Sequence, residues 1–277
     1  MSTTLFAASP LAHQIPGGFD PLASHRAGAY TWEVLDLSER RVGTLAGASG
    51  GTVDLNADAP VRGSGSVGWS GEWGAVPEWD RVRLRPRYTA TLVDGSTLDI
   101  PLGVFLPTTP ALTEHHGAAT GDVGFYDKTV ILAQDRVEAT FGLPVGTQVI
   151  PAVEAVIAGS VLAGDVALEE STETLRTAMV WPAGTTKLAI VNDLLEAVDY
   201  VAVWADGAGT IRSSHYDAPA ARPLQWAFEH GEDCVYMGGF TQTRDTWDVP
   251  NRVIARTQGD GDEAGRPGTL LTFFPWR

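Results

Sequence analysis

The stretch "DRVRLRPRYTATLVDGSTLDIPLGVFLP", Asp80 to Pro107, decides the fold class. Arg81, Arg83, Arg85 and Arg87 recur at period two, with Val82 and Leu84 between them. Successive side chains of a strand point to opposite faces, so this pattern puts the arginines on one side and the aliphatic residues on the other. "VDGST" then supplies a hairpin turn centred on Asp94-Gly95, and a further strand follows. The segments before it read the same way. "AYTWEVLDL" and "RRVGTLAG" lead into "GTVDLNADAPVRGSGSVGWSG", where Val53, Leu55 and Ala57 alternate with Asp54, Asn56 and Asp58. "HHGAATGDVGFYDKTVIL" predicts another strand pair reaching Leu132. Short strands with turn signals at this spacing predict a β-barrel or sandwich.

The pattern changes near Ala139. "FGLPVGTQVIPAVEAVIAGS" predicts a helix over 147–158, with Val149, Val153, Val156 and Ile157 on its apolar face and Pro151 tolerated in the first turn. "VALEESTETL" reads as a linker. In "TTKLAIVNDLLEAVDYVAVWADGAGTIRSSHY", Thr185 to Tyr216, Thr186 caps a helix whose apolar face is Leu188, Val191, Leu194, Leu195 and Val198. Tyr200–Trp204 predicts a strand, and Asp206-Gly207 the positive-φ turn of a hairpin returning through Thr210–Tyr216. No internal repeat is evident from the residues. The organisation predicted is an arm at 1–28, a β domain at 29–138, an α+β domain at 139–222 and a return to β structure at 223–277. The class is mainly β with an α+β region.

Composition bounds the function. The chain has 277 residues, 34 acids against 19 bases and a formal net charge of −15. That balance argues against a free-standing nucleic-acid binder, which carries a basic footprint. Cys234 is the only cysteine, so neither an intrachain disulfide nor a cysteine-cluster metal site is expected. The N-terminal segment lacks a basic n-region, and no apolar run reaches membrane-spanning length. A soluble chain folded in a cytoplasm, with no membrane insertion, is the expectation. Nine Trp suit sheet faces and subunit contacts.

The chemistry-bearing motifs are weak. "GASGG" places Ser49 in a G-x-S-x-G pattern, but an alternating strand follows where a nucleophile elbow needs a helix. "GSGSVG", Gly63–Gly68, precedes a Gly- and Pro-containing segment that cannot present a helix N-terminus to phosphate. His115 and His116 are adjacent and point apart on a strand, and His215 stands alone beside two serines. The acidic loop Gly259–Gly265 lacks the spacing of a calcium hand. Catalytic residues, metal ligands and cofactor are expected to be absent. Trp32, Trp69, Trp73 and Trp79 would be the candidates if the chain bound carbohydrate, with core and contact roles as the alternative.

The order of segments resembles minor tail proteins, of the tail-tip or baseplate hub type, from siphophages infecting actinobacteria. The resemblance is carried by "YTWEVLDLSERRVGTLAGASGGTVDLNADAPVRGSGSV", "DRVRLRPRY", "IPLGVFLPTTP" and "GFYDKTVILAQDRV", then by "AGTTKLAIVNDLLEAVDYVAVWADGAGTIRSSHYDAPAARPLQWAFEHGE" and "DVPNRVIARTQGDGDE". It covers roughly 29–263. It implies tube-type β-barrel domains in a ring continuous with the tail tube, with a small α/β decoration domain. It further implies a non-enzymatic virion protein at the tail tip, assembled in the host cytoplasm. The implied partners are two further copies in a homotrimer, a distal tail protein and a tape measure protein, with DNA passing through unbound. The arm at 1–28 is longer than the resemblance leads one to expect, and "AGRPGTLLTFFPWR" does not continue it. Arg81, Arg83, Arg85 and Arg87 are the candidate inter-subunit residues, expected to meet acids of the same or a neighbouring copy rather than a channel. A hydrolase acting on cell wall or glycan, and a carbohydrate-binding module, are the alternative readings.

Overall fold

The computed structural model describes residues 27–91, 95–162, 164–218 and 221–222, together with the strands at 253–256 and 267–271. The chain divides into two units, Met1–Ala227 and Phe228–Arg277. The arm up to residue 26, Asp94, Cys234, the loop Gly259–Gly265 and most of the segment 223–277 lie outside the described residues, and the last two residues of the arm begin the first strand.

The first unit opens with eight strands: β1 (Ala27–Leu35), β2 (Arg41–Thr44), β3 (Ala48–Leu55), β4 (Gly63–Glu72), β5 (Arg83–Thr91), β6 (Thr97–Pro101), β7 (Phe105–His115) and β8 (Ala118–Asp127). They form one antiparallel sheet in the order β2-β1-β5-β7-β8-β4-β3, with β6 beside β5. The sheet is not a closed barrel, because no pairing joins β2 to β3. Its end strands are short or irregular. β2 has only four residues, and β3 is bulged between Ser49 and Thr52, where Gly50 and Gly51 take positive φ. The sheet nevertheless curls. A Cβ on Gly51 would lie 2.6 Å from the Trp32 ring of β1, so the two ends approach across the interior. That interior holds Trp32, Val67, Trp69, Trp79, Leu84, Phe105, Val123 and Phe125. Phe125 packs against both Phe105 and Trp32.

The strand expected to reach Leu132 stops at Asp127, and Val130–Gln134 is a short helix, α1. Asp127 causes the change: its carboxylate accepts from the Thr129 amide at 2.8 Å and from the Thr129 hydroxyl, and so turns the chain. Leu132 then enters a second core.

That core is built by β9 (Phe141–Leu143), α2 (Val149–Ala158), β10 (Val166–Leu168), β11 (Met179–Trp181), α3 (Lys187–Glu196), β12 (Trp204–Ala205) and β13 (Ile211–Ser213). Both helices bury the faces that periodicity predicted. Val149, Val153, Val156 and Ile157 of α2 meet Leu188, Val191, Leu194 and Leu195 of α3. The Thr186 hydroxyl accepts from the Ala189 amide at 3.2 Å, as a cap should. Three local expectations fail. The supposed linker contains β10, which pairs in parallel with β13. Tyr200–Val203 is not regular strand, because the Val203 amide donates to the Asn192 side chain instead of a neighbouring strand. The positive φ of the hairpin falls on Gly209, because Asp206 accepts from the Ala208 and Thr210 amides and reshapes the turn.

The second core also contains an internal repeat that the residues alone did not disclose. The strand–turn–helix β9–α2 and the strand–turn–helix β11–α3 match at a constant offset. Pro144 corresponds to Pro182, Gly146 to Gly184, Thr147 to Thr185 and Val153 to Val191. Both turns are built alike: Gly146 and Gly184 have φ of 82° and 87°, and the Thr147 and Thr185 hydroxyls each donate to the proline carbonyl at 2.8 Å. The strands pair about a pseudo-two-fold axis, Phe141↔Trp181 mirrored by Met179↔Leu143. The lead-in segments are exchanged. The Lys187 amide donates to the Asp135 carbonyl, and its counterpart, the Val149 amide, to Glu173. Likewise the Gly184 amide bonds Val137, and the Gly146 amide bonds Leu175. Each turn is thus satisfied by the other half.

The second unit contributes β14 (Val253–Arg256) and β15 (Pro267–Leu271), an antiparallel pair.

Two predictions follow from the paired halves. Leu194→Asp puts a carboxylate at a fully buried position, at a cost of several kcal/mol, or about 3 at least. Urea denaturation should show the second core unfolded or severely weakened, and an unchanged midpoint would contradict the packing. Gly146→Ala and Gly184→Ala meet no atom within 4 Å, so each should cost about 1 kcal/mol from φ alone. Unequal losses differing by more than about twofold would break the equivalence of the two turns.

Candidate functional site

The face of β5 opposite the core carries Arg83, Arg85 and Arg87, while Leu84 and Pro86 point inward. Arg81 sits just before the strand, in a short 3-10 turn at Trp79–Arg81. Three of the four expected arginines therefore share the strand face. Arg81 instead pairs at 3.4 Å with Glu78, both largely exposed.

Sheet register determines what the others meet. Glu33 of β1 stands directly opposite Arg85, where cross-strand side chains touch. Its carboxylate receives Arg85 Nε at 2.7 Å and Arg41 Nε of β2 at 2.9 Å, with Arg87 Nη1 at 3.7 Å. Arg87 turns to β6 and grips Asp99 with two donors, Nε at 2.9 Å and Nη2 at 2.6 Å from Oδ2. The Asp99 hydrogen bond, with the Asp99 and Glu33 charges, raises the Arg87 pKa above its ordinary value. Arg83 is half-buried and donates to its neighbour's carbonyl, Val82, at 3.2 Å. Burial lowers its pKa, and the charge of Glu39 opposes that shift. The result is a ladder, Arg41–Glu33–Arg85 continued by Arg87–Asp99, across four strands of one face.

The acids of this ladder lie within the chain. Sequence reading named the arginines but not Glu33 or Asp99. Glu33 carried a usable signal, since it alternates with Trp32 and Val34. Asp99 did not, because its position depends on the register of β6.

The remaining motifs fall apart in space. Ser49 is exposed on β3, and Gly63–Gly68 lie within β4. His115 ends β7. His116, at φ 53°, and Gly117 form the turn to β8, with the Glu114 carboxylate accepting from the Gly117 amide. Trp32, Trp69 and Trp79 are core residues, whereas Trp73 is about half exposed, at 52%. Among the described residues no group of three His, Cys, Asp or Glu is arranged to hold a metal. No described helix is long and apolar enough to cross a membrane.

The fold is thus a mainly β chain with a duplicated α+β region, and one face of its large sheet carries a cross-strand ion ladder. No protein-family model matches the chain, and no curated protein sequence matches it. Solved structures do. A tail protein from Neisseria meningitidis MC58 is similar at 13% identity and a TM-score of 0.47, over 67% of this chain and 50% of that one. The 43 kDa tail protein of prophage MuSo2 from Shewanella oneidensis is similar at 12% identity and a TM-score of 0.44, over 68% of this chain and 56% of that one. A Francisella PdpA–VgrG complex contains a chain similar at 8% identity and a TM-score of 0.46, over 70% of this chain and 32% of that one. This chain spans about half the length of the two tail proteins it matches.

The ladder predicts a graded mutational response. Glu33→Gln removes a carboxylate shared by three guanidiniums, its side chain only 13% exposed. The expected loss is about 1–3 kcal/mol. Glu78→Gln should cost less than about 0.5 kcal/mol, as an exposed pair does. Denaturant midpoints measure both, and equal small losses would show the ladder to be energetically idle.

Proposed function

We propose that this chain is a structural, non-enzymatic component of a phage-type tail tip, a hub protein whose curled sheet takes part in a ring at the end of the tail tube. The observation that carries the reading is the open sheet. Its end strands, β2 and β3, are solvent-facing and pair on one side only among the described residues. Such edges invite pairing with another chain. Different edges meeting head to tail generate a closed ring when the rotation allows. The collinear sequence resemblance to siphophage minor tail proteins supports the same reading, with three copies as the stoichiometry and distal tail and tape measure proteins as neighbours.

The interior of the sheet is filled by aromatic side chains, so a passage for tape measure and DNA would lie between copies. An acid-rich wall would let DNA move without the counterion-releasing contacts that hold it. The arginine face belongs to the contacts between subunits in this scheme. Arg41, Arg85 and Arg87 stiffen it from within, and the exposed Arg81 is placed to reach a neighbour's carboxylates.

The test is electron microscopy of purified tail tips combined with charge reversal. Arg81→Glu should leave the fold intact, because its only ion pair among the described residues is exposed, and abolish tail-tip assembly. Infectious tails of normal morphology from this variant would remove Arg81 from the interface. Six copies around the tube would overturn the trimer, and absence of the chain from the tip would overturn the hub assignment.

A further inference from the structure

The two halves of the repeat differ at one cluster. In the first, Asp135 Oδ2 receives the Lys187 ammonium at 2.8 Å and the Ser160 hydroxyl at 2.8 Å, and the same ammonium donates to the Gly159 carbonyl at 2.6 Å. A lysine thus joins the lead-in segment to the C-terminal end of α2, where the helix dipole also favours a cation. Hydrogen bonding to Lys187 holds the Asp135 carboxyl below its ordinary pKa.

At the repeat offset, Asp135 corresponds to Glu173, Gly159 to Ala197, Ser160 to Val198 and Lys187 to Val149. The acid and the helix end are kept, and the lysine is replaced by a shorter, fully buried valine. The structure has a cleft there of about 360 Å³, lined by Glu173, Ala197, Val198, Asp199, Tyr200 and His215, with Ser171 and Arg176 at its wall. Three of the four counterparts of the clamp border this space. Among the described residues, Arg176 makes no ion pair within 4.0 Å with Glu173 or Asp199.

We infer that this cleft is a docking site for the lysine side chain of another protein, with its ammonium between the Glu173 carboxylate and the C-terminal end of α3. The first half of the repeat shows the geometry satisfied in cis, and the second offers it in trans. The donor is a protein of different sequence. This chain has only two lysines, Lys128 and Lys187, and both are engaged internally. The inference is independent of the tail-tip reading.

The probe is Nα-acetyl-lysine N-methylamide, titrated into the full chain and followed by amide NMR shifts. Saturable shifts at Glu173, Ala197 and Asp199 are expected, at least tenfold weaker in Glu173→Gln and absent with the Nε-acetylated probe. Glu173 is exposed, so the variant should retain the wild-type spectrum elsewhere. As a second variant, Lys187→Ala should expose the twin clamp and add a second set of shifts around Asp135 and Gly159. An equal response to the neutral probe, or binding unaffected by Glu173→Gln, would overturn the site. An n-butylammonium ion binding as tightly as the lysine amide would overturn the protein-lysine assignment in favour of free amines.

Discussion

The Lys128 ammonium lies where water scarcely reaches, 1% exposed, and its position ties the sheet to the duplicated region. It sits 2.8 and 3.2 Å from the two oxygens of Glu39. A charge so placed is tolerated only with a partner, and breaking such a pair typically costs about 3–5 kcal/mol. Glu39 reaches it from the turn between β1 and β2, in a left-handed conformation at φ 61°. That conformation is fixed by Asp36, whose carboxylate accepts from the Ser38 and Arg40 amides while its carbonyl takes the Glu39 amide. Two glycines of the duplicated region close over the pair. A Cβ on Gly164 would fall 2.4 Å from Lys128 Nζ, and one on Gly209 would fall 2.6 Å from Val104. Both have φ near 90°, so only glycine lets these loops descend so far.

The residues flanking Lys128 extend the constraint. Asp127 accepts from the Gly63 amide at 2.5 Å, fastening the start of β4 to the end of β8, and its other oxygen starts the turn into α1. Three consecutive residues therefore finish the sheet, bury a charge and launch the second core. The repeat solves a different problem. A single strand–turn–helix of about twenty residues is far below the size at which a chain buries a core of its own. Two of them exchange lead-in segments, and each turn's amides find acceptors in the other half.

What sequence could reveal follows from the range of each interaction. The α2 and α3 faces, the Thr186 cap and the alternation of β5 are local, and they were legible. The end of β8 was misread because "TVIL" is as β-branched and apolar as a strand, and only the Asp127 carboxylate turns it into α1. Tyr200–Val203 was misread because Asn192, on another element, takes the Val203 amide. Gly209 rather than Gly207 carries the positive φ because the Asp206 side chain acts before the glycines do. The repeat was hidden because apolar positions interchange freely, leaving Pro-x-Gly-Thr and one valine, Val153 and Val191, as its literal echoes. The acids of the arginine ladder depend on strand register, which the period-two pattern does not specify.

The distribution of charge has a consequence for assembly. Both lysines are committed to internal acids. Arg85, Arg87 and Arg212 are likewise paired with Glu33, Asp99 and Asp206. Each pair uses one acid as well as one base, so pairing leaves the excess of 34 acids over 19 bases untouched. The surplus must therefore lie outside these pairs, and the protein presents itself to neighbours chiefly through carboxylates. Such a surface repels its own copies at long range. Among the described residues the exposed guanidiniums are Arg40, Arg41, Arg81, Arg136, Arg176 and Arg222, and the first three cluster at one end of the β1–β2–β5 face. With cations this sparse in an acid-rich chain, few registers of an acidic neighbour on this surface avoid placing like charges together.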